Sequence, residues 1–332
     1  MRYLFIITLL SIFIWGCSPK LYVFNEELYN KLKSLPNDSL LEITAFDSSK
    51  QVMHPDILYF DKKFYLSFTP YPFYNDSLEN PCLFSSSNGL SFKPVNLKSN
   101  PLIKTPANYK KNRIHNDDPD ISYNSKTNSI DLIYLLTMEP DSQNLQIIHT
   151  GDSNNLYPKT LIKYDLNKSE AFLLSPALCE YKKKQYLYYV NRKKNNKNSI
   201  EYLVSKKNCN FNKEKLLYPS INIPEDLSPW HIDIIKTRDK YIMLLNAYVG
   251  SIPVWGDTTV NKYRLYTAHS KDLKNWSELK ELINCDELPD KQCFYVYRSS
   301  GIIEKDIFAL WYSYVTKYHE WKIGFKKLSF TE

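Results

Sequence analysis

His54-Pro55-Asp56-Ile57, Asp118-Pro119-Asp120-Ile121, Ser175-Pro176-Ala177-Leu178 and His231-Ile232-Asp233-Ile234 are four copies of one short pattern. Their starts lie 64, 57 and 56 residues apart. Each copy opens a strand-like run, such as Ile57-Leu58-Tyr59-Phe60. A period of roughly 40–60 residues with several strands per unit is the signature of a β-propeller blade. Side chains alternate along a strand, so positions one and three of the pattern are expected on one face. Repeated around a ring, that face places His and Asp at the mouth of a central channel.

A second pattern runs out of phase with the first. Ser86, Thr150, Ser205 and Ser270 each begin a seven-residue unit. Its third position is mostly Asp or Asn (Asn88, Asp152, Lys207, Asp272) and its seventh is apolar (Phe92, Leu156, Phe211, Trp276). Asn, Asp and Gly favour tight turns. The seventh residue is expected to plug the apolar layer between strands. Two independent patterns that keep step define the repeat better than either alone.

The 332 residues include 27 Tyr, and 15% of the chain is aromatic. Runs such as Phe64-Tyr65-Leu66-Ser67-Phe68 suit half-buried strands, and no long amphipathic helix is evident. The predicted fold is all-β, a five-bladed propeller with about four antiparallel strands per blade. Its blades are expected over 52–104, 116–163, 172–217, 230–282 and 294–330, the last opening at Val296-Tyr297-Arg298-Ser299-Ser300. Residues 18–50 form a lead-in segment, in which 40–45 is expected to close the ring against the last blade. The propeller domain then occupies 51–332.

Residues 1–17 read as a bacterial lipoprotein signal peptide. Arg2 precedes the apolar run 3–15, which is too short for a confident membrane span. The run ends at Ile14-Trp15-Gly16-Cys17, which resembles a lipobox with Cys17 as the lipidated residue. The expected location is the cell envelope, tethered by lipid to the membrane, with Ser18 favouring the outer membrane. A net charge of +7 is spread over scattered lysines. With no basic stripe carrying interleaved aromatics, nucleic acid is not an expected partner.

Five cysteines follow Cys17, and an odd number cannot all pair within one chain. Cys285 and Cys293 share one loop-rich stretch and are the candidate pair. No CxxC spacing suggests zinc, and no metal ligand set is assigned. No cofactor is expected, apart from Ca²⁺ as a candidate ion in a channel ringed by Asp oxygens.

The whole body resembles five-bladed propeller glycoside hydrolases of families 32, 43, 62, 117 and 130, and more closely bacterial propeller proteins of glycoside-hydrolase-like type. The resemblance is carried by His54 to Phe60, Thr69-Pro70-Tyr71-Pro72, Glu79-Asn80-Pro81, Asn100-Pro101-Leu102, His115 to Ile121, Ser228 to Asp233 and Tyr297 to Ser300. It implies a carbohydrate partner and hydrolysis in the central pocket. Family 32 enzymes place an Asp before Pro in blades one and two, and a Glu two residues before Pro in blade three. Only Asp118 matches. His54 stands at the first position and Leu174 at the third.

A two-carboxylate glycosidase needs one group to protonate the leaving oxygen and one to attack or activate water. Asp118, His231, His54, Asp56 and Asp233 are the candidate catalytic groups. His titrates near neutrality, and crowded carboxylates raise one another's pKa. Glu79 and Glu139 are further acid candidates, and family 117 resemblance favours a His acid. Arg298 is a candidate clamp for a sugar carboxylate or sulfate, or an internal partner of one of these Asp residues, and Trp230 a stacking platform or a core-packing residue. Asp120 and Glu79 complete the candidate binding set. Recurrence of Asp at position three equally suits a structural role, bonding backbone N–H groups at the strand entrance. Three functions follow: a glycan-cleaving envelope enzyme, a glycan-binding lipoprotein that has lost the acid, and a scaffold that docks proteins on its face.

Overall fold

The computed structural model describes residues 25–95, 100–104, 113–124, 127–150, 158–166, 171–193, 198–205, 211, 214–250 and 262–331. The signal segment and Cys17 lie outside the described residues, as do Cys209, Asp152 and Leu156. Among the described residues no helix is long and apolar enough to cross a membrane.

Nineteen strands form five antiparallel sheets. Blade one holds β2 (Val52–Phe60), β3 (Lys63–Pro70), β4 (Cys82–Ser86) and β5 (Lys93–Pro94). Blade two holds β6 (Arg113–Asn124), β7 (Ser129–Glu139), β8 (Ser142–His149) and β9 (Lys159–Asp165). Blade three has β10 (Ala171–Tyr181), β11 (Lys184–Lys193) and β12 (Ser199–Ser205), with a single bridge from Tyr202 to Leu217 in place of a fourth strand. Blade four runs through β13 (Leu227–Lys236), β14 (Tyr241–Val249), β15 (Tyr263–Ser270) and β16 (Lys280–Ile283). Blade five has β17 (Cys293–Glu304), β18 (Ile307–Thr316) and β19 (Trp321–Ser329).

The ring closes where β1 (Asp38–Leu40) pairs with β19 as the outer strand of blade five. Closure was expected over 40–45, and the paired strand lies slightly earlier. Only the Leu41 N–H continues it, to the Ile323 carbonyl at 3.0 Å. Before β1 comes α1 (Glu26–Ser34), which the sequence reading passed over. Asn25 caps it by accepting from the Leu28 N–H, and Leu28 and Leu32 are buried in the core shared by blades one and five.

The second pattern is a side-chain-bonded turn. Ser86 Oγ accepts from the N–H groups of Asn88 and Gly89, and Ser270 Oγ from those of Asp272 and Leu273. The third residue then bonds the next turn: Asp272 accepts from Lys274 and Asn275. Phe92, Phe211 and Trp276 are the buried plugs. Cys285 and Cys293 form a disulfide, while Cys82 and Cys179 are free thiols.

Candidate active site at the blade-start end of the channel

The inner strands β2, β6, β10 and β13 carry the four copies of the first pattern, and each of them, like β17, is bulged in or just before that stretch. Register breaks between Met53 and Asp56, Asp117 and Asp120, Leu174 and Ala177, Pro229 and His231, and Val296 and Ser299. His54, Asp118 and Ser175 sit at the bulge with φ of 55°, 49° and 51°. Non-glycine residues avoid that region, and such strain gathers at functional sites. Positions one and three both face the channel, as alternation predicts, but at two depths, so they form two separate layers along it.

Asp56, Asp120 and Asp233 form one layer, with carboxylate oxygens all within 4.8 Å of one another. This layer joins the blades. Asp56 accepts from the Ile121 N–H and, at 2.6 Å, from the Ser300 hydroxyl. Asp120 accepts from the Leu178 N–H at 3.1 Å. Blade three has Ala177 at this position, so Asp233 itself accepts from the Ile234 N–H at 2.6 Å. Burial and mutual repulsion raise these carboxyls, Asp56 to about 7. Burial likewise raises Asp233. Beside this layer opens a cavity of about 1040 Å³, lined by the hairpin ends of the inner strands. Both oxygens of Asp56 and Oδ2 of Asp120 are engaged between the blades, and the other triad lies toward the opposite end of the channel.

There His54, Asp118 and His231 form the second layer, again with ligand atoms within 4.8 Å of one another. Asp118 Oδ2 accepts from the Ser175 N–H at 2.7 Å. Its Oδ1 faces His54 Nε2, His231 Nδ1 and Arg298 Nη1, each at 3.4 Å. Burial works to raise Asp118, but His231, His54 and Arg298 outweigh it and hold the carboxyl below its usual range. Burial drives both imidazoles the other way, His54 down to about 4 and His231 well below its ordinary value, against the opposing pull of Asp118. Two neutral imidazoles therefore face an ionised carboxylate.

Glu79 joins this layer from the loop after β3. Its Oε1 lies 3.4 Å from His54 Nδ1, which also meets Thr69 Oγ1 at 3.1 Å. Burial, then Asp117 and Asp118, raises the Glu79 carboxyl well above its ordinary value. The backbone carbonyl of Glu79 accepts from the Asn116 N–H, which pins the loop to β6. Two neighbours on β6 were missed as site residues. His115 Nε2 lies 3.2 Å from Asp117 Oδ2, and both are buried. Burial lowers His115, but Asp117 and Asp76 more than compensate and raise it; burial raises Asp117 to about 6. A run of one His and three Asp in six residues was the signal available for them.

The remaining candidates divide. Arg298 is 1% exposed and points inward at Asp118, with Asp56, Asp120 and Asp233 also in its field, so it is not a clamp open to solvent. Trp230 is half-buried and edge-on to His231; its indole N–H donates to the Tyr297 hydroxyl at 2.7 Å. The Arg192 guanidinium lies 5.2 Å over its ring. Tyr297, which the sequence reading did not single out, packs against both His54 and His231. Glu139 is not in the cluster and pairs with Arg113 at 3.3 Å.

No protein-family model and no curated relative matches the chain. Solved structures do. An N-acetylgalactosamine deacetylase from F. plautii, in complex with blood group B trisaccharide, is 18% identical with a TM-score of 0.71, over 89% of this chain and 95% of that one. An exo-1,5-α-L-arabinanase from a bovine ruminal metagenomic library is 13% identical with a TM-score of 0.56, over 85% and 93%. The α-L-arabinofuranosidase PaAbf62A from Podospora anserina is 11% identical with a TM-score of 0.58, over 87% and 92%. The chain therefore has the five-bladed β-propeller fold that these carbohydrate-acting proteins share.

Proposed function

We propose that this chain is a carbohydrate-active hydrolase of the bacterial cell envelope that cleaves the N-acyl amide of an amino sugar at His54, Asp118 and His231. One observation carries the reading. Both nitrogens of His231 and Nε2 of His54 are buried without a hydrogen-bond partner, and His231 Nδ1 and His54 Nε2 each lie 3.4 Å from Asp118 Oδ1. Buried polar atoms left unpaired need an explanation, and an ion is a recognised one. Two imidazoles and one carboxylate are a donor set for a divalent transition metal, with positions left open for substrate. Thr69 and Glu79 on His54 Nδ1 leave Nε2 turned to that point, as an outer partner of a metal-bound His does. An ion held there would polarise the amide carbonyl and acidify a bound water.

The chain's own groups supply the rest. Burial and the nearby carboxylates favour the protonated form of Glu79, which makes it the candidate proton donor to the leaving nitrogen. The His115–Asp117 pair takes up or releases a proton near neutrality. Tyr297 and Trp230 wall the layer and exclude water. The neighbouring F. plautii protein is named for deacetylation of an N-acetylated sugar, which agrees with this chemistry. A glycosidase is the second reading, favoured by two neighbouring carboxyls pushed apart, Glu79 upward and Asp118 downward. Envelope location rests on the lipobox at Cys17.

The test is incubation of the purified protein with N-acetylated glycans, with and without EDTA and added Zn²⁺ or Mn²⁺. Acetate release that EDTA abolishes, with the sugar chain intact and loss in Glu79→Gln, is the expected result. Shortened glycans establish the glycosidase reading. Binding without any product establishes a glycan-holding protein that has lost its chemistry.

A further inference from the structure

The rim of the same channel end carries an aromatic ridge between blades one and five. Pairing of Val52 with Pro70 and of Cys293 with Thr316 places the β3–β4 and β18–β19 loops at the end where His54 begins its strand. Ring contacts then run outward without a break. Tyr297 touches His54 and His231, and meets Trp321 at 5.0 Å; Trp321 meets Tyr74 at 6.4 Å. Tyr74 meets His319 at 6.1 Å, and its hydroxyl bonds His319 Nδ1 at 3.0 Å. Next to these two residues stand Phe73, 85% exposed, and Tyr318, 62% exposed. They are the two most exposed large hydrophobic side chains among the described residues.

This exposure is built rather than frayed. Phe73, Tyr74 and His319 have φ of 54°, 57° and 60°, a region that bulky residues rarely occupy. Such backbone persists only where its surroundings over-determine it. They do so here. Tyr71 Oη donates to Asp76, which pairs with Arg113; Asn75 Oδ1 accepts from the N–H and hydroxyl of Ser77. In the other loop Thr316 Oγ1 accepts from the N–H groups of Tyr318 and Glu320.

We infer that Phe73 and Tyr318 are an outer sugar-binding subsite, stacking on units of an oligosaccharide beyond the one at the reaction centre. The inference rests on the proposed glycan-processing site. The ring contacts reach from that site to Tyr74 and His319, the sequence neighbours of Phe73 and Tyr318, and this selects a sugar chain as occupant. The apolar C–H faces of pyranose rings suit flat, preordered aromatic surfaces whose polar edges stay wet.

The test compares the purified protein with a Phe73→Asn, Tyr318→Ser double variant on an array of N-acetylated glycans of one to six sugar units. Asn tolerates the left-handed backbone at 73, and both side chains are exposed, so folding is kept. The wild type is expected to bind longer members of a linkage series more tightly, and the variant to lose about tenfold of that gain while keeping monosaccharide-level binding. The same length dependence in both proteins overturns the subsite and leaves the proposed function standing. Binding to no glycan of any length overturns both. A wild-type dimer that the variant converts to monomer overturns the subsite by naming a second copy as occupant.

Discussion

Asp118→Asn tests the centre of the site with one exchanged atom. The carboxylate spends Oδ2 on the Ser175 N–H at 2.7 Å and turns Oδ1 to His54, His231 and Arg298. An Asn must keep its carbonyl oxygen on Ser175, because an amide NH₂ there would meet another donor. Its NH₂ then faces Arg298, two donors of like polarity where an ion pair stood. The side chains of Asp118 and Arg298 are 2% and 1% exposed, so water cannot repair the loss. Removing one partner of a buried ion pair costs about 3–5 kcal/mol. Asp56, Asp120 and Asp233 still oppose the guanidinium, which points to the lower end, about 3 kcal/mol. Denaturant unfolding measures this directly. Divalent-cation titration measures the second expected effect, a loss of affinity of at least about 100-fold, since outer-partner changes alone reach that range. A variant within about 1 kcal/mol of wild type that binds Zn²⁺ or Mn²⁺ equally well would falsify the arrangement, because such a change is ordinary for an unremarkable position.

Three further outcomes are expected. Asp56 has its carboxyl raised from 3.8 to about 7, so its proton stabilises the fold fully below pH 3.8, and that contribution is lost as pH rises through 7. Asp56→Asn should therefore gain on wild type between pH 5 and pH 8, by about 2.5 kcal/mol, and parallel urea midpoints at the two pH values would sink the idea. Gly324→Ala would place a Cβ 2.5 Å from the Tyr312 ring, a crowding expected to cost about 1–3 kcal/mol, readable as a lower thermal midpoint. Cys285→Ser opens the disulfide to Cys293, eight residues on, and should cost about 2.5 kcal/mol by loop-closure entropy; an unchanged unfolding midpoint counts against a stabilising role.

The ring was legible because a propeller repeats its constraints. Each inner strand needs the same bulge and each outer turn the same hydroxyl, so both recur at blade intervals. Ser270 and Asp272 show the turn logic that the spacing announced. The channel was only half legible. Alternation placed His54 and Asp56 together on the channel, but not the bulge and positive φ at His54 that go with their two depths. Pattern reading cannot see such a conformation, since nothing in the residue type requires it. His115 and Asp117 were overlooked because they precede the bulge and match no other blade. Arg298 was placed correctly in the channel, but its partner was internal. Helix α1 escaped because nine residues offer little more than two turns of periodicity.

The departure of blade three from the pattern has a physical cause that bears on the chemistry. Both triads draw on blades one, two and four, and blade three supplies Ser175 and Ala177 instead. Ser175 Oγ donates to the Ile232 carbonyl at 2.8 Å and accepts from the Ile232 N–H at 3.0 Å. A carboxylate accepts but cannot donate, so an acid at this position could make only half of that joint. With Ser175 committed to blade four and its N–H to Asp118, this strand is a structural tie on two sides. Leu174, at the position where a family 32 glycosidase carries its acid, is buried in the core shared by blades three and four. That part of the ring is built for packing, not for proton transfer. The groups left free to act are the orphaned imidazoles and the carboxyls beside them, which is why the site reads better as a His and Asp centre than as a pair of glycosidase acids.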